Sequence, residues 1–366
     1  MCGDYSYPSM AYFWKKTDVG SENPHIATLN EGMTKRMPNG FNLKYSRGCD
    51  WTEEIETKYD VVGAGDERAW EYEILHRKVE SGEKADAAEA LSMAKESDVI
   101  IAAMGENVML CGENRDRKGI RLPGKQEQYV ESLIATGKPV VLVLVGASQM
   151  PLSEKIVKGC AAIIEAWYPG EEGGNALADI LYGKVSPSAK LSVSYPNVEL
   201  NEPICYNYSD TKDARIQWPF GYGLSYSTFE YSDLKIANEA KTTDEAVTLT
   251  FNVKNTGNVA ADEVAQLYLS PTSKDQNIRP IQLQGFARVH LEKGESKTVS
   301  IKMYTEQFGF YTNTDGNRQW NTAPGKFTIK IGASSQDIKL SQNITLTGDK
   351  TSKPLREYYF SETTVK

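Results

Sequence analysis

Histidine is scarce in this chain. Only His25, His76 and His290 occur among 366 residues. None stands near a plausible nucleophile motif, so Ser-His-Asp hydrolases and metal hydrolases are poor candidates. The five cysteines, Cys2, Cys49, Cys111, Cys160 and Cys205, are scattered, odd in number and without a C-x-x-C pair. That pattern argues against a disulfide framework and against a zinc site. No apolar run reaches the roughly 18 residues a membrane helix needs, so no membrane partner is expected. The opening residues, Met1-Cys-Gly-Asp-Tyr-Ser-Tyr-Pro8, lack the basic-then-apolar order of a signal peptide. A basic excess is missing too: the net charge is −8, whereas a binder of phosphate backbones needs a basic face, so no nucleic-acid partner is expected. Neither G-x-x-x-x-G-K-[ST] nor G-x-G-x-x-G is present. Gly170, Gly173 and Gly174 before a helix are better explained by tight turning than by a phosphate. No cofactor or metal is implied. If the chain is an enzyme, carboxylates must carry its proton chemistry.

What is present is the composition of a globular protein, 40% hydrophobic and 25% charged, long enough for two domains with a large core. From about residue 85 to 195 helical and strand patterns alternate. Ala85–Lys95 has apolar residues at helical spacing and leads into the apolar strand Asp98–Met104. Gln126–Ala135 predicts a helix, Lys138–Val145 a strand, Ala161–Trp167 a strand and Asn175–Leu181 a helix. Strands interleaved with helices imply βαβ units and a mostly parallel sheet. Residues 1–84 are harder to read; Tyr59–Gly65 is strand-like, and Glu67–Lys84 reads as an exposed helix or insertion. After about residue 215 the period becomes two. Val247, Leu249, Phe251 and Val253 alternate with polar residues, as do Val299, Ile301, Met303 and then Phe327, Ile329, Ile331. Such short alternating strands predict an antiparallel β-sandwich. The division expected is an α/β domain over 1–215, a β-sandwich over 216–350 and a polar tail or surface strap over 351–366.

One stretch concentrates chemistry. Gly105–Lys118 is a long polar loop hung on the end of the 98–104 strand, with Glu113 beside Arg115, Asp116 and Arg117. In open parallel sheets ligands bind beyond the carboxyl ends of the strands. From the residues alone Glu113 reads more readily as a solvated carboxylate paired with Arg115 or Arg117 than as an acid-base group. Glu106, directly after the strand, could contend for an acid-base role but more readily fixes the loop through backbone hydrogen bonds. Trp167, at another strand end, could stack on a sugar ring or simply pack there. Trp218, Phe220, Tyr222 and Tyr226 form an aromatic cluster best read as core packing at the junction, with carbohydrate binding the lesser alternative.

Three segments together resemble a known family. The first is Glu113-Asn-Arg-Asp-Arg117 with Leu122-Pro and Gln126. The second is Gly137–Gly146 with Ala166-Trp-Tyr-Pro-Gly-Glu-Glu-Gly-Gly174 and Pro187-Ser-Ala-Lys-Leu191. The third is Pro219-Phe-Gly-Tyr-Gly-Leu-Ser-Tyr-Ser-Thr-Phe229. In order and spacing they resemble the C-terminal half of a glycoside hydrolase family 3 enzyme of the β-glucosidase type, over roughly residues 3–348. The resemblance implies a three-layer α/β sandwich followed by a fibronectin type III-like domain. It implies retaining hydrolysis of β-linked sugars by two carboxyl groups, and so a carbohydrate partner. Glu113 takes the position of the family's general acid/base, with Asp116 and Arg117 completing its E-x-x-D-R pattern as an ion pair shaping the loop or as sugar contacts.

The family's nucleophile belongs to a (β/α)8 barrel, and the α/β part here is far too short for eight βα units. The chain is therefore expected to be truncated at its N-terminus and nearly inactive alone, needing a barrel as partner. The alternative is a non-catalytic carbohydrate-binding or docking module derived from such an enzyme.

Overall fold

The computed structural model describes residues 26–50, 61–62, 85–106, 116–117, 119–198, 204–208, 213–272, 279–314 and 316–366. The chain divides into two compact units, 1–184 with 196–201 and 185–195 with 202–366.

In the first unit the described elements are α1 (Leu29–Arg36), β1 (Val61–Val62), α2 (Ala87–Glu96), β2 (Ile100–Gly105), β3 (Asp116–Arg117), α3 (Gln126–Ile134), β4 (Val140–Val145), α4 (Glu154–Gly159), β5 (Ala162–Glu165) and α5 (Gly173–Leu181). Strands β2, β4 and β5 form a parallel sheet in that order, with Ile100 opposite Val140 and Val141 opposite Ala162. The central strand β4 is the driest: Val140, Leu142, Val143 and Leu144 are fully buried. β-branched and leucine residues suit a strand covered on both faces. The flanking strands are partly open, and Val99 just before β2 is half exposed.

Helix starts follow local polar chemistry. Asp86 accepts the Glu89 N–H at 2.9 Å to open α2, and Ser153 accepts the Ile156 N–H at 3.4 Å to open α4. Thr28 and Glu31 form a reciprocal capping box on α1. Helix α1 emerges from the stretch that periodicity left unread. It packs against α5 through two glycines: a Cβ on Gly32 would lie 2.1 Å from the Gly174 carbonyl oxygen, and one on Gly174 would lie 2.1 Å from that of Thr28. Gly174 thus serves a close backbone crossing. Of the residues expected to form a strand over 59–65, the structure describes Val61 and Val62; the helix or insertion expected over 67–84 lies outside the described residues.

The second unit contains β7 (Ile216–Trp218) and β8 to β17: Phe229–Lys235, Glu239–Lys241, Ala246–Asn255, Ala261–Pro271, Gln282–Leu291, Ser296–Tyr304, Phe310–Thr314, Asn317–Thr322, Gly325–Gly332 and Ile338–Thr347. The short strand β6 (Tyr195–Pro196) precedes β7, and β18 (Thr351–Lys353) and β19 (Glu362–Val365) follow β17. Two sheets, ordered β19-β13-β10-β8 and β12-β11-β16-β17-β9, enclose one core. The alternating residues fill it: Leu249, Val253, Val299, Ile301, Met303, Ile329 and Ile331 are fully buried and Phe251 nearly so. The pairings are antiparallel except that of β17 with β9.

Strand β11 is buried on both faces. Its outer face carries Gln266 and Tyr268, and the run from 185 to 195 docks with this unit through Lys190. The Lys190 ammonium reaches Glu263 at 3.2 Å and donates to the Gly223 carbonyl at 2.9 Å. Tyr231 Oη donates to the same Glu263 carboxylate at 2.7 Å, and burial together with that carboxylate pushes the phenol pKa up. Of the aromatic cluster, Phe220 stacks on Tyr206 at 3.9 Å and Trp218 meets Tyr195 edge-on at 5.3 Å, whereas Tyr226 is half exposed. The C-terminal stretch is a strap: β18 joins a small sheet beside β15, and β19 becomes an edge strand against β13.

Candidate active site

The carboxyl ends of β2, β4 and β5 converge on one polar constellation. Gly105, the last residue of β2, sits at φ +139°, and a Cβ there would lie 1.9 Å from the Val145 carbonyl oxygen. Only glycine allows that approach. Immediately after it, the Glu106 N–H donates to the Val145 carbonyl at 2.9 Å, extending the β2–β4 ladder by one rung. The Glu106 side chain, 4% exposed, turns back over the end of β4, where its Oε1 accepts the N–H groups of Ala147 at 2.8 Å and Ser148 at 3.0 Å. Successive N–H groups aimed at one carboxylate oxygen make charge-assisted hydrogen bonds, each stronger than a neutral one. Gly146 leaves room for this: a Cβ on it would meet Glu106 Cγ at 2.8 Å.

The same turn reaches β5, because the Gly146 N–H donates to the Trp167 carbonyl at 3.2 Å. The strand expected over Ala161–Trp167 ends at Glu165. Trp167 adopts φ +50° and donates its N–H to Glu165 Oε1 at 3.1 Å. Left-handed backbone at a bulky residue is strained, and such strain collects at functional sites. The indole is half-buried.

Gln126, the first residue of α3, is 2% exposed and faces Gly105. Its Oε1 accepts the Gly105 N–H at 2.6 Å and its Nε2 donates to the Gly105 carbonyl at 2.7 Å. Next along α3, Glu127 accepts the Ser153 N–H at 3.1 Å and pairs with Arg121 at 3.5 Å. The role of Gln126 escaped the sequence reading, although a signal existed. Gln126, Val130 and Leu133 share one buried stripe of α3, so a polar residue stands at a position the helix period marks as apolar.

Of the residues singled out by sequence, Glu106 and Trp167 therefore meet through the Gly146–Ser148 turn. Asp116 and Arg117 form β3, which pairs antiparallel with β1, Val61 opposite Arg117 and Val62 opposite Asp116. Glu113 and Arg115 lie outside the described residues. Burial pushes the thiol of Cys49 up and that of Cys160 to about 11, so these two stay protonated near neutral pH.

Comparison with known proteins assigns this architecture. The model of the Glycosyl hydrolase family 3 C-terminal domain matches residues 1–226, and that of the Fibronectin type III-like domain matches residues 263–335. A β-xylosidase of Formosa agariphila is 31% identical over 332 residues, covering 86% of this chain and 41% of that protein. A periplasmic β-glucosidase of Salmonella typhimurium is 31% identical over 346 residues, covering 89% of this chain and 43% of its own length. The structure of a β-glucosidase from Erythrobacter marinus superposes with a TM-score of 0.71 at 30% identity, over 88% of this chain and 43% of that one. The chain thus spans about two fifths of the length of these relatives. With the parallel sheet, its strand-end constellation and the β-sandwich all in place, the chain belongs to glycosyl hydrolase family 3, matching its C-terminal α/β domain and the fibronectin type III-like domain that follows.

Proposed function

We propose that this chain supplies the general acid/base half of a retaining β-glycosidase, of the β-glucosidase type. Glu113 is the acid/base. The nucleophilic carboxylate belongs to a (β/α)8 barrel that these 366 residues do not include. The observation that carries this reading is the neck at the carboxyl end of the sheet. Gly105 and Gln126, on either side of the segment containing Glu113, are hydrogen-bonded to each other beside the buried Glu106. The two β-glucosidases and the β-xylosidase named above support a glycoside as substrate.

In the first step the nucleophilic carboxylate bonds to the anomeric carbon, the glycosidic C–O bond breaks, and Glu113 gives its proton to the departing oxygen. In the second, the Glu113 carboxylate takes a proton from water, the water oxygen bonds to the anomeric carbon, and the ester to the nucleophile breaks. Retention requires the two carboxyls about 5–5.5 Å apart, so both must be rigidly presented. Glu106 braces the strand-end turn, and Trp167 offers an indole face to the sugar.

The test mixes the purified chain with a separately produced family barrel and a chromogenic β-glucoside. Turnover is expected in the mixture and not in either part alone, and Glu113→Gln should lower it by about 10²–10⁴-fold. Turnover in the mixture that survives Glu113→Gln sinks the assignment. Carbohydrate binding with no turnover favours a non-catalytic module.

A further inference from the structure

The described flanks of the acid/base segment form a closed neck. On the entry side Gly105 has its backbone N–H and its carbonyl both bonded to the Gln126 side chain, at 2.6 and 2.7 Å. Entry is also pinned to the neighbouring strand end, since Glu106 donates to Val145 and accepts from Ala147 and Ser148. On the exit side Leu122 is buried, 6% exposed, and Gln126 opens α3. A glutamine in the first turn of a helix ordinarily caps its own N–H groups or points to solvent. This one reaches across 21 residues of sequence to Gly105 and uses both ends of its amide there. It occupies a place on the apolar stripe with Val130 and Leu133, where a leucine or methionine would pack as well. Such a residue would leave the Gly105 N–H and carbonyl buried without these partners, which is costly for each group.

We propose that Gln126 is a positioning residue for the acid/base: its side-chain amide latches the two ends of the loop together and so fixes the base from which Glu113 is presented. This rests on the reading of Glu113 given above. The latch acts through geometry, because the proton donor must sit within hydrogen-bond reach of the leaving oxygen, and a misplacement of about 1 Å can cost a factor of roughly 10². Gly105 completes the device. With no Cβ it lets the Val145 carbonyl approach the same residue that the Gln126 amide holds.

Two variants test the latch: Gln126→Met, which keeps length and removes both bonds, and Gln126→Asn, which keeps the amide and withdraws it by one methylene. In the 366-residue chain, amide exchange by NMR should quicken across residues 105–126 in both, while β4, β5 and the β-sandwich keep wild-type exchange. Unchanged exchange over 105–126 in both variants overturns the proposal. The second readout uses the chain with a barrel supplied and a series of β-glucosides of rising leaving-group pKa. Misplacing a general acid matters most for a poor leaving group, so each variant should lose about 10–100-fold in kcat/KM with an alkyl glucoside and little with the dinitrophenyl glucoside. Glu113→Gln should show the same selectivity more strongly. A loss equal for all leaving groups in the Gln126 variants, alongside selective loss in Glu113→Gln, overturns the positioning role. Equal loss in Glu113→Gln instead sinks the acid/base reading, and exchange over 105–126 still decides whether Gln126 is the latch.

Discussion

Glu106 in the α/β unit and Glu306 in the β-sandwich unit use one device in two settings. Each is a buried carboxylate, 4% and 7% exposed, that accepts two backbone N–H groups from a segment distant in sequence. Glu106 holds Ala147 and Ser148 at the end of the parallel sheet. Glu306 holds Glu357 at 3.1 Å and Tyr358 at 2.7 Å, and adds the Lys353 ammonium, so it ties the C-terminal strap to the outside of the sandwich. A buried carboxylate among backbone amides is therefore no mark of catalysis by itself. What distinguishes Glu106 is its place at the mouth of a parallel sheet, where the next residues lead to Glu113. Glu263 marks a third case, a carboxylate held by a cation and a phenol: its side chain is 4% exposed and that of Lys190 10%, and Tyr231 donates to it at 2.7 Å.

The largest effect on stability is expected at this ion-paired extreme. Lys190→Met removes the cation from beside the buried Glu263, which should destabilise the β-sandwich unit by about 3–5 kcal/mol in urea unfolding, with much of the loss recovered by adding Glu263→Met. Full stability in the single variant breaks the distinction between cation-held and amide-held carboxylates. Next, Glu106→Ala and Glu306→Ala should each cost about 2–3 kcal/mol by removing charge-assisted bonds to backbone amides. Only Glu106→Ala should also lower turnover when a barrel is supplied; equal kinetic loss from both erases the contrast between site and strap.

A pH titration sharpens the comparison further. Burial alone would raise the Glu306 carboxyl, but the Lys353 ammonium and the backbone N–H groups of Tyr358 and Glu357 outweigh it and hold the pKa below the ordinary 4.5. With the folded pKa depressed, the strap's anchoring is complete above the unfolded value and is lost as pH falls through the folded one. NMR signals of residues 351–366 should be native at pH 6 and change progressively below pH about 4.5; a strap unchanged down to about pH 2 counts against the anchor. The smallest effect is expected at Thr28→Ala, which removes a helix cap at about 1 kcal/mol, read as a lowered urea midpoint of the α/β unit alone.

Much of the fold was legible because burial has a local period. Val247 to Val253 and Val299 to Met303 alternate since a strand shows one face to the core, and those residues line it. The apolar run at Val140–Val145 is continuous because both faces of β4 are covered. Helix α1 was not legible: its sequence is polar, and its packing depends on Gly32 meeting Gly174, a pairing no local window contains. The end of β5 was misplaced by two residues because Trp167 follows Glu165 in composition but turns left-handed in conformation.

Residue type and motif spacing singled out Glu106, Glu113, Asp116, Arg117 and Trp167 as candidates. The family followed from the order of three segments. Tertiary structure alone decided that Gln126 would bond to Gly105, that Glu106 would face the Ala147 and Ser148 amides, and that Lys190 would reach Glu263 across 73 residues. The reason is physical. Periodicity and motifs record what each residue needs, a core face, a cap or a charge partner. Which partner satisfies that need depends on sheet register and strand order, and these arise only when distant segments are packed together.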